Sequence, residues 1–253
     1  MGGTLRGLIF DVDGTLAETE RDGHRVAFNH AFAELGLDWH WDEALYGRLL
    51  AVTGGKERML HYWRGIDPRA AAGPDAPALV AELHRRKTRH YVHLVASGGV
   101  ALRPGVRRLL EQARDAGLQL AIATTTTPDN VDALLRATLG EAGGEFFTCI
   151  GAGDIVERKK PDPGIYHWVL ERLGLDPQCC LAFEDSPAGL QAAHAAGLRT
   201  VVTPGIYTRD EAFDHAWALL DGLGEPGRPA SGQVAGRAWR GVVDPSQLQD
   251  WAA

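Results

Sequence analysis

Apolar residues follow two rhythms along this chain. Short unbroken runs stop abruptly at polar turns. Residues 5–10 end at Asp11-Val12-Asp13-Gly14-Thr15, residues 118–123 at Thr124-Thr125-Thr126-Thr127, and residues 146–150 at Gly151-Ala152-Gly153-Asp154. Residues 180–183 end in the same way at Glu184-Asp185, and residues 200–202 at Thr203-Pro204-Gly205. An apolar run without alternation is a strand buried on both faces, so the pattern predicts five such strands. Between them the period changes. Val106, Leu109, Leu110 and Ala113 fall at i, i+3, i+4 and i+7, Val131, Leu134, Leu135 and Thr138 repeat the spacing, and Ile165, Trp168 and Val169 begin a third stripe. Strands alternating with helices predict an α/β fold with a doubly wound parallel sheet, whose ligands gather beyond the carboxyl ends of its strands. Every polar turn named above lies at such an end.

The stretch from about 17 to 97 breaks the alternation, with helical patterns and no convincing strand. A turn-rich connection at 64–77 carries Gly65, Pro68, Gly73, Pro74 and Pro77, one long helix is predicted at 78–94, and Gly98-Gly99 marks the return. The domain organisation expected is therefore a core at 1–16 and 98–253 and an inserted helical domain at 17–97. Residues 222–236 are rich in Gly and Pro and read as a tail, with a short helix at 245–251.

Lys and Arg number 26 against 33 Asp and Glu, a net charge of −7, which argues against nucleic acid as a partner. No run approaches the ~18–20 apolar residues of a membrane span, and no basic flank precedes an apolar leader. A cytoplasmic monomer without a membrane partner is expected. Cys149, Cys179 and Cys180 lack metal-ligand spacing and suggest neither a disulfide framework nor a zinc site.

Two carboxylates in Asp11-x-Asp13, at the end of a buried strand, share one pocket, where one can attack while the other moves protons. Asp-x-Asp-Gly is also ordinary turn chemistry. Glu184-Asp185 suits an oxygen-seeking cation, and Glu-Asp-Ser-Pro can equally cap a helix from Pro187. Lys160 precedes the rigid Pro161-Asp162-Pro163, and Thr124–Thr127 offer hydroxyls and backbone N–H groups to an anion. In their order along the chain, Asp11-Val12-Asp13-Gly14-Thr15, Thr124, Lys160-Pro161 and Glu184-Asp185 resemble the motifs of the haloacid dehalogenase-like phosphohydrolases. The resemblance implies a Rossmann-like core with a helical cap, Asp11 as nucleophile, Asp13 as acid/base, and Thr124 and Lys160 as phosphoryl-binding catalytic residues. It also implies Mg²⁺ held by Asp11, the Asp13 carbonyl and Asp185, with Glu184 nearby or ligating. Lys159 reads as a solvated surface charge.

Asp11–Glu20, Thr53-Gly54-Gly55-Lys56-Glu57-Arg58, Ala123–Thr126 and Pro204–Arg209 bear a closer resemblance to CbbY-type phosphatases, which act on xylulose 1,5-bisphosphate, a by-product of Rubisco in carbon fixation. That resemblance implies a small sugar phosphate as the partner. It gives substrate roles to Glu18, Gly54, Gly55, Lys56, Arg58, His84 and Lys87, with Thr125, Thr126 and Asn130 facing the substrate and Tyr207 and Arg209 at the rim. A helix would set His84, Lys87 and Thr88 on one face as a second phosphate site, with Arg85, Arg86 and Arg89 solvated. A mutase of the β-phosphoglucomutase type and a catalytically silent sugar-phosphate binding protein remain as alternatives, the second disfavoured because no motif residue is missing.

Overall fold

A computed structural model describes residues 4–252; residues 1–3 and 253, which the expected core range includes, lie outside the described residues. The five predicted strands are present as β1 (Gly7–Phe10), β2 (Gln119–Ala123), β3 (Cys149–Gly151), β4 (Cys180–Glu184) and β5 (Arg199–Val202). All their pairings are parallel. Residues 143–146, the approach to β3, form a 3₁₀ turn, so that strand is shorter than its apolar run suggested.

The sheet continues further than expected. β6 (Ala218–Leu220) adds in parallel, and β7 (Ala230–Val234) and β8 (Arg237–Gly241) close the edge as an antiparallel hairpin, giving the order β3-β2-β1-β4-β5-β6-β7-β8. Residues 230–234 of the segment read as a Gly/Pro-rich tail thus belong to the sheet. The hairpin's turn residues, Ala235 and Gly236, both have positive φ, as a two-residue hairpin turn of the primed type requires.

Ten helices are described. α1 (Arg25–Glu34), α2 (Glu43–Leu49), α3 (Gly55–Ile66), α4 (Pro68–Ala71) and α5 (Ala76–Ala96) follow a π-helical turn at Glu20–His24. α6 (Val106–Asp115), α7 (Pro128–Leu139), α8 (Gly164–Leu173), α9 (Pro187–Ala195) and α10 (Pro245–Ala252) flank the sheet. The 21-residue α5 is the predicted long helix, two residues longer at each end. The turn-rich connection at 64–77 contains the end of α3 and all of α4.

Alternation within the buried strands builds two cores. Leu8 and Phe10 of β1 pack with Leu109, Leu110, Leu134 and Trp251, whereas Ile9 packs on the other face with Ile165, Tyr166, Val169 and Ala193. Both faces are covered, which is why the strand sequences read as continuous apolar runs. A third core, of Phe28, Phe32, Trp41, Tyr46, Met59, Trp63 and Leu83, holds the helical layer together. The chain enters and leaves that layer side by side: Ala17 and Leu102 form an antiparallel bridge, and Arg103 N–H donates to Leu16 O at 2.8 Å. No described helix is long and apolar enough to cross a membrane.

Candidate active site

The sheet order reverses at β1, with β2 on one side and β4 on the other, so their following loops diverge and open a crevice at the end of β1. Asp11, the first residue past β1, is held there by its backbone N–H, which donates to Phe183 O at 3.0 Å. Gly14 lets the turn close. Its φ is +84°, and a Cβ there would fall 2.0 Å from Asp185 Oδ2. The loop after β3 delivers Lys160, whose buried Nζ donates to Asp11 Oδ1 at 2.7 Å, Glu184 Oε1 at 2.6 Å and Ala123 O at 2.8 Å. At the end of β4, Ser186 Oγ accepts from Gly189 N–H at 3.2 Å and Pro187 begins α9, so the cap reading of Glu-Asp-Ser-Pro is also correct.

Oxygens of Asp11, Glu184 and Asp185 lie within 4.8 Å of one another, all buried. Lys160 pairs with the first two, and among the described residues Asp185 forms no ion pair. Burial pushes the Asp11 carboxyl up to about 8, against the pull of Lys160 and with the repulsion of Glu184 and Asp13. Asp185 is raised well above the usual carboxylate range by burial and by the same acidic neighbours. Three buried carboxylates facing one ammonium leave uncompensated negative charge that fits a divalent cation with oxygen ligands. Asp11, Asp185 and the Asp13 carbonyl could hold it.

Asp13 turns toward the helical layer. Its Oδ1 accepts from Thr19 Oγ1 at 2.5 Å and lies 2.8 Å from His24 Nε2, while Lys87 Nζ is 2.7 Å from His24 Nδ1. An ammonium can only donate, so Nδ1 accepts, Nε2 carries the proton, and the imidazole passes a hydrogen bond from Lys87 to Asp13. Burial works to raise the Asp13 carboxyl, but His24, Thr19 and Lys87 overcome it and hold it below its ordinary value. Burial lowers Lys87 to about 8, against Asp13 and Glu20. Thr19 and His24 were not among the sequence candidates; a lone His after a motif has no signal until folding sets it between Asp13 and α5.

Two cavities share Asp13 in their linings. The outer, of about 420 Å³, is lined by Asp11, Glu18, Thr124, Thr125, Lys160 and Asp185, together with Tyr207 of the predicted rim. The inner, of about 50 Å³, is lined by Gly54, Gly55, Lys56, Arg58, His84, Lys87, Thr125, Thr126 and Asn130. Of the residues given a substrate role, all but Thr88 and Arg209 therefore line one cavity or the other.

Several have different neighbours from those expected. Lys56 Nζ reaches across to Asp154 Oδ2 at 2.8 Å, and Lys159 joins that carboxylate at 3.1 Å and Glu57 at 3.4 Å. Lys159 is thus no solvated surface charge; it lines the inner cavity. Arg58 is engaged by Tyr46 Oη at 3.0 Å, Val52 O at 3.3 Å and Glu20 at 4.0 Å. Burial, with Lys87, Lys56 and Lys159 nearby, lowers His84 to about 4, so it meets a ligand as a neutral hydrogen-bonding group. Asn130 Nδ2 donates to Thr126 Oγ1 at 3.0 Å. Glu18 lies 3.6 Å from Arg103 Nε, and Arg103 also donates to the carbonyls of Gly14, Thr203 and Pro204, tying the β1 and β5 loops together. Tyr207 packs edge-on against Tyr46 of α2, whereas Arg209 is exposed and lines neither cavity. Thr88 is buried beside Lys87 but lines neither cavity, and Arg85, Arg86 and Arg89 pair with Glu82 and Glu34 at the surface.

A family model described as haloacid dehalogenase-like hydrolase matches residues 5–197. The chain belongs to this family. The CbbY protein of Cupriavidus necator is 52% identical to this hydrolase over 247 residues, covering 98% of this chain and 96% of that one. Among solved structures, CbbY from Rhodobacter sphaeroides in complex with phosphate is 49% identical and superimposes with a TM-score of 0.80, covering 86% of this hydrolase and 94% of that chain. A mutant of the same bacterial protein, in complex with xylulose-(1,5)bisphosphate, has the same identity and coverage and a TM-score of 0.81.

Proposed function

We propose that this hydrolase is a Mg²⁺-dependent phosphatase that removes one phosphate from a small sugar bisphosphate, with xylulose 1,5-bisphosphate as the preferred substrate. The observation that carries the reading is the pairing of an anionic attack site with a cationic recess. Asp11, Lys160 and Asp185 meet in the outer cavity, and in the lining of the inner one the cations Lys56, Arg58, Lys87 and Lys159 outnumber Asp13, Glu20 and Asp154. A bisphosphate presents charge at both ends, which one phosphate site would leave half recognised. The full-length likeness to CbbY proteins, one of them in complex with that sugar bisphosphate, supports the same substrate.

Asp11 attacks phosphorus to form an aspartyl phosphate while Asp13 protonates the departing sugar oxygen. Asp13 then takes a proton from the water that cleaves the acyl phosphate and restores Asp11. Lys160, Thr124 and the backbone N–H groups after β2 offset the negative charge on the phosphoryl oxygens. A cation held by Asp11, Asp185 and the Asp13 carbonyl supplies positive charge that lets an anionic nucleophile approach an anionic phosphoryl group. The helical segment at 17–97 acts as a cap on the core at 1–16 and 98–253. Its Lys56–Asp154 and Glu57–Lys159 pairs clasp the rim, and closure excludes bulk water.

The test is phosphate release, with Mg²⁺, from a panel of sugar mono- and bisphosphates including xylulose 1,5-bisphosphate and β-glucose 1-phosphate. Preference for the pentulose bisphosphate is expected. Lys56→Ala should lower turnover of the bisphosphate about tenfold more than that of a small aryl phosphate, because only the former engages the inner cavity. Glucose 6-phosphate appearing in place of free phosphate would indicate the mutase instead.

Metal binding should also be visible without substrate. Mg²⁺ at about 100 times its dissociation constant is expected to raise Tm by about 5–10 °C for a chain of this size. Asp185→Asn should have the higher Tm without metal, because it removes a carboxyl that burial beside Asp11 and Glu184 makes costly to ionise, and should lose most of the Mg²⁺ increment. An equal increment in both proteins would place the cation elsewhere.

A further inference from the structure

We propose that Tyr166 is a positioning residue of the phosphoryl-transfer site: its hydroxyl commits the Glu184 carboxylate to Lys160 and keeps it from turning to the metal. The proposal rests on the metal-dependent phosphatase reading and names a residue to which neither the sequence motifs nor the proposed chemistry gives a part.

Tyr166 lies in the first turn of α8, fully buried, in a stripe otherwise made by Ile165, Val169, Leu170 and Leu173. Packing alone would be met by Phe. The hydroxyl makes one hydrogen bond, donating to Glu184 Oε1, the same oxygen that accepts from Lys160 at 2.6 Å. The ring lies beneath the ammonium, with Nζ 5.2 Å from its centroid. One side chain thus contacts both the cation and its counter-charge.

The consequence is rotational. Among the described residues Glu184 Oε2 has no hydrogen-bond partner, and the carboxylate lies against Gly189, where a Cβ would fall 1.9 Å from Oε2. Two donors on one oxygen pin the carboxylate against the first turn of α9. All three Lys160 protons are then in use, and the ammonium stays aimed at Asp11. Without the phenol, Glu184 keeps one anchor instead of two, and its carboxylate, already within 4.8 Å of ligand atoms of Asp11 and Asp185, is free to leave Lys160 and serve as an extra metal ligand.

Tyr166→Phe keeps the ring and removes only the hydrogen bond. Mg²⁺ titrated into the substrate-free protein by calorimetry is expected to bind about tenfold tighter, while kcat falls about tenfold with KM little changed, the scale of one lost hydrogen bond to a charged group. In a Glu184→Gln background the same substitution should change neither quantity further. Unchanged Mg²⁺ affinity, or an equal effect with Glu184 replaced, would overturn the proposal. If Phe lowers Tm enough to obscure the result, site-specific 3-fluorotyrosine at 166, a stronger donor of nearly the same size, is expected to weaken Mg²⁺ binding; tighter or unaltered binding would overturn it. The metal titration needs no turnover, so failure of the phosphatase reading, seen as no phosphate released from any substrate, is distinguishable from failure of this one.

Discussion

Asp11→Asn is expected to abolish phosphate release, by at least about 10⁴-fold, while the variant stays folded. The amide is nearly isosteric and cannot displace an alkoxide from phosphorus, so the loss should fall on kcat for every phosphate ester, whatever its leaving group. Stability should move the other way. Burial raises the Asp11 carboxyl from 3.8 to about 8, Lys160 notwithstanding, so the folded protein binds this proton more tightly than the unfolded chain does. The stability that this proton contributes is fully present below about 4 and is lost as pH rises through about 8. Asn carries no such titration. Without Mg²⁺ the variant should therefore match or exceed the parent's Tm at pH 8, and the difference should shrink toward pH 5. Thermal melts at the two pH values, beside a phosphate assay, check both halves. Residual turnover above about one part in 10³ would remove Asp11 from the nucleophile's role, since no neighbouring carboxylate takes its position at the end of β1.

Much of this site was legible because a parallel sheet covered on both faces writes itself plainly. Gly7–Phe10 and Cys180–Glu184 are buried throughout, so each appears in sequence as an apolar run that stops where the crevice begins. Asp11, Asp13, Thr124, Glu184 and Asp185 stand at such stops or just after them, whereas Lys160, nine residues past β3, was marked by the family resemblance of Lys160-Pro161. Side chains that act across the two layers left no such trace. His24 gains its part only when the π-helical turn sets it between Asp13 and Lys87, and that depends on the packing of α1 on α5, not on its neighbours in sequence. Tyr166 was concealed by being in the right place for a core residue. Lys159 looked like half of a solvated pair because its carboxylate partners are remote or belong to a loop, Glu57 in α3 and Asp154 after β3.

The hairpin at the sheet edge was overlooked for another reason. Glycine and proline density at 222–236 outweighed a shorter signal, the in-out alternation of Ala230, Ser231, Gly232, Gln233 and Val234. Ala235-Gly236 is a weaker hairpin mark than Asn-Gly, since alanine takes positive φ only under constraint. Here β6 supplies the constraint, pairing with five-residue β7 along Leu219–Gln233 and its neighbours. A sequence window shorter than the whole edge cannot contain that information.

The second large effect is expected at Asp13. Asp13→Ala should lower turnover of a sugar phosphate about 10³-fold, the upper part of the range for a positioned proton donor, because a sugar alkoxide is a poor leaving group. An aryl phosphate needs no such donor to form the aspartyl phosphate, but its hydrolysis still requires a base at the same position. The variant should thus release about one equivalent of phenol in a burst and then turn over slowly, as the phosphorylated Asp11 accumulates. The wild-type geometry sharpens the expectation. With Thr19 and His24 on its Oδ1, the Asp13 carboxylate faces the helical layer and is held below its ordinary range, poorly set to donate a proton at Asp11. On the proposed mechanism, Asp13 is expected to leave that pair and turn toward Asp11 when substrate binds. His24→Ala removes one restraint and should retain far more activity than Asp13→Ala on the same sugar phosphate. Equal losses in the two variants would mean that the imidazole handles the proton itself and that Asp13 only orients it.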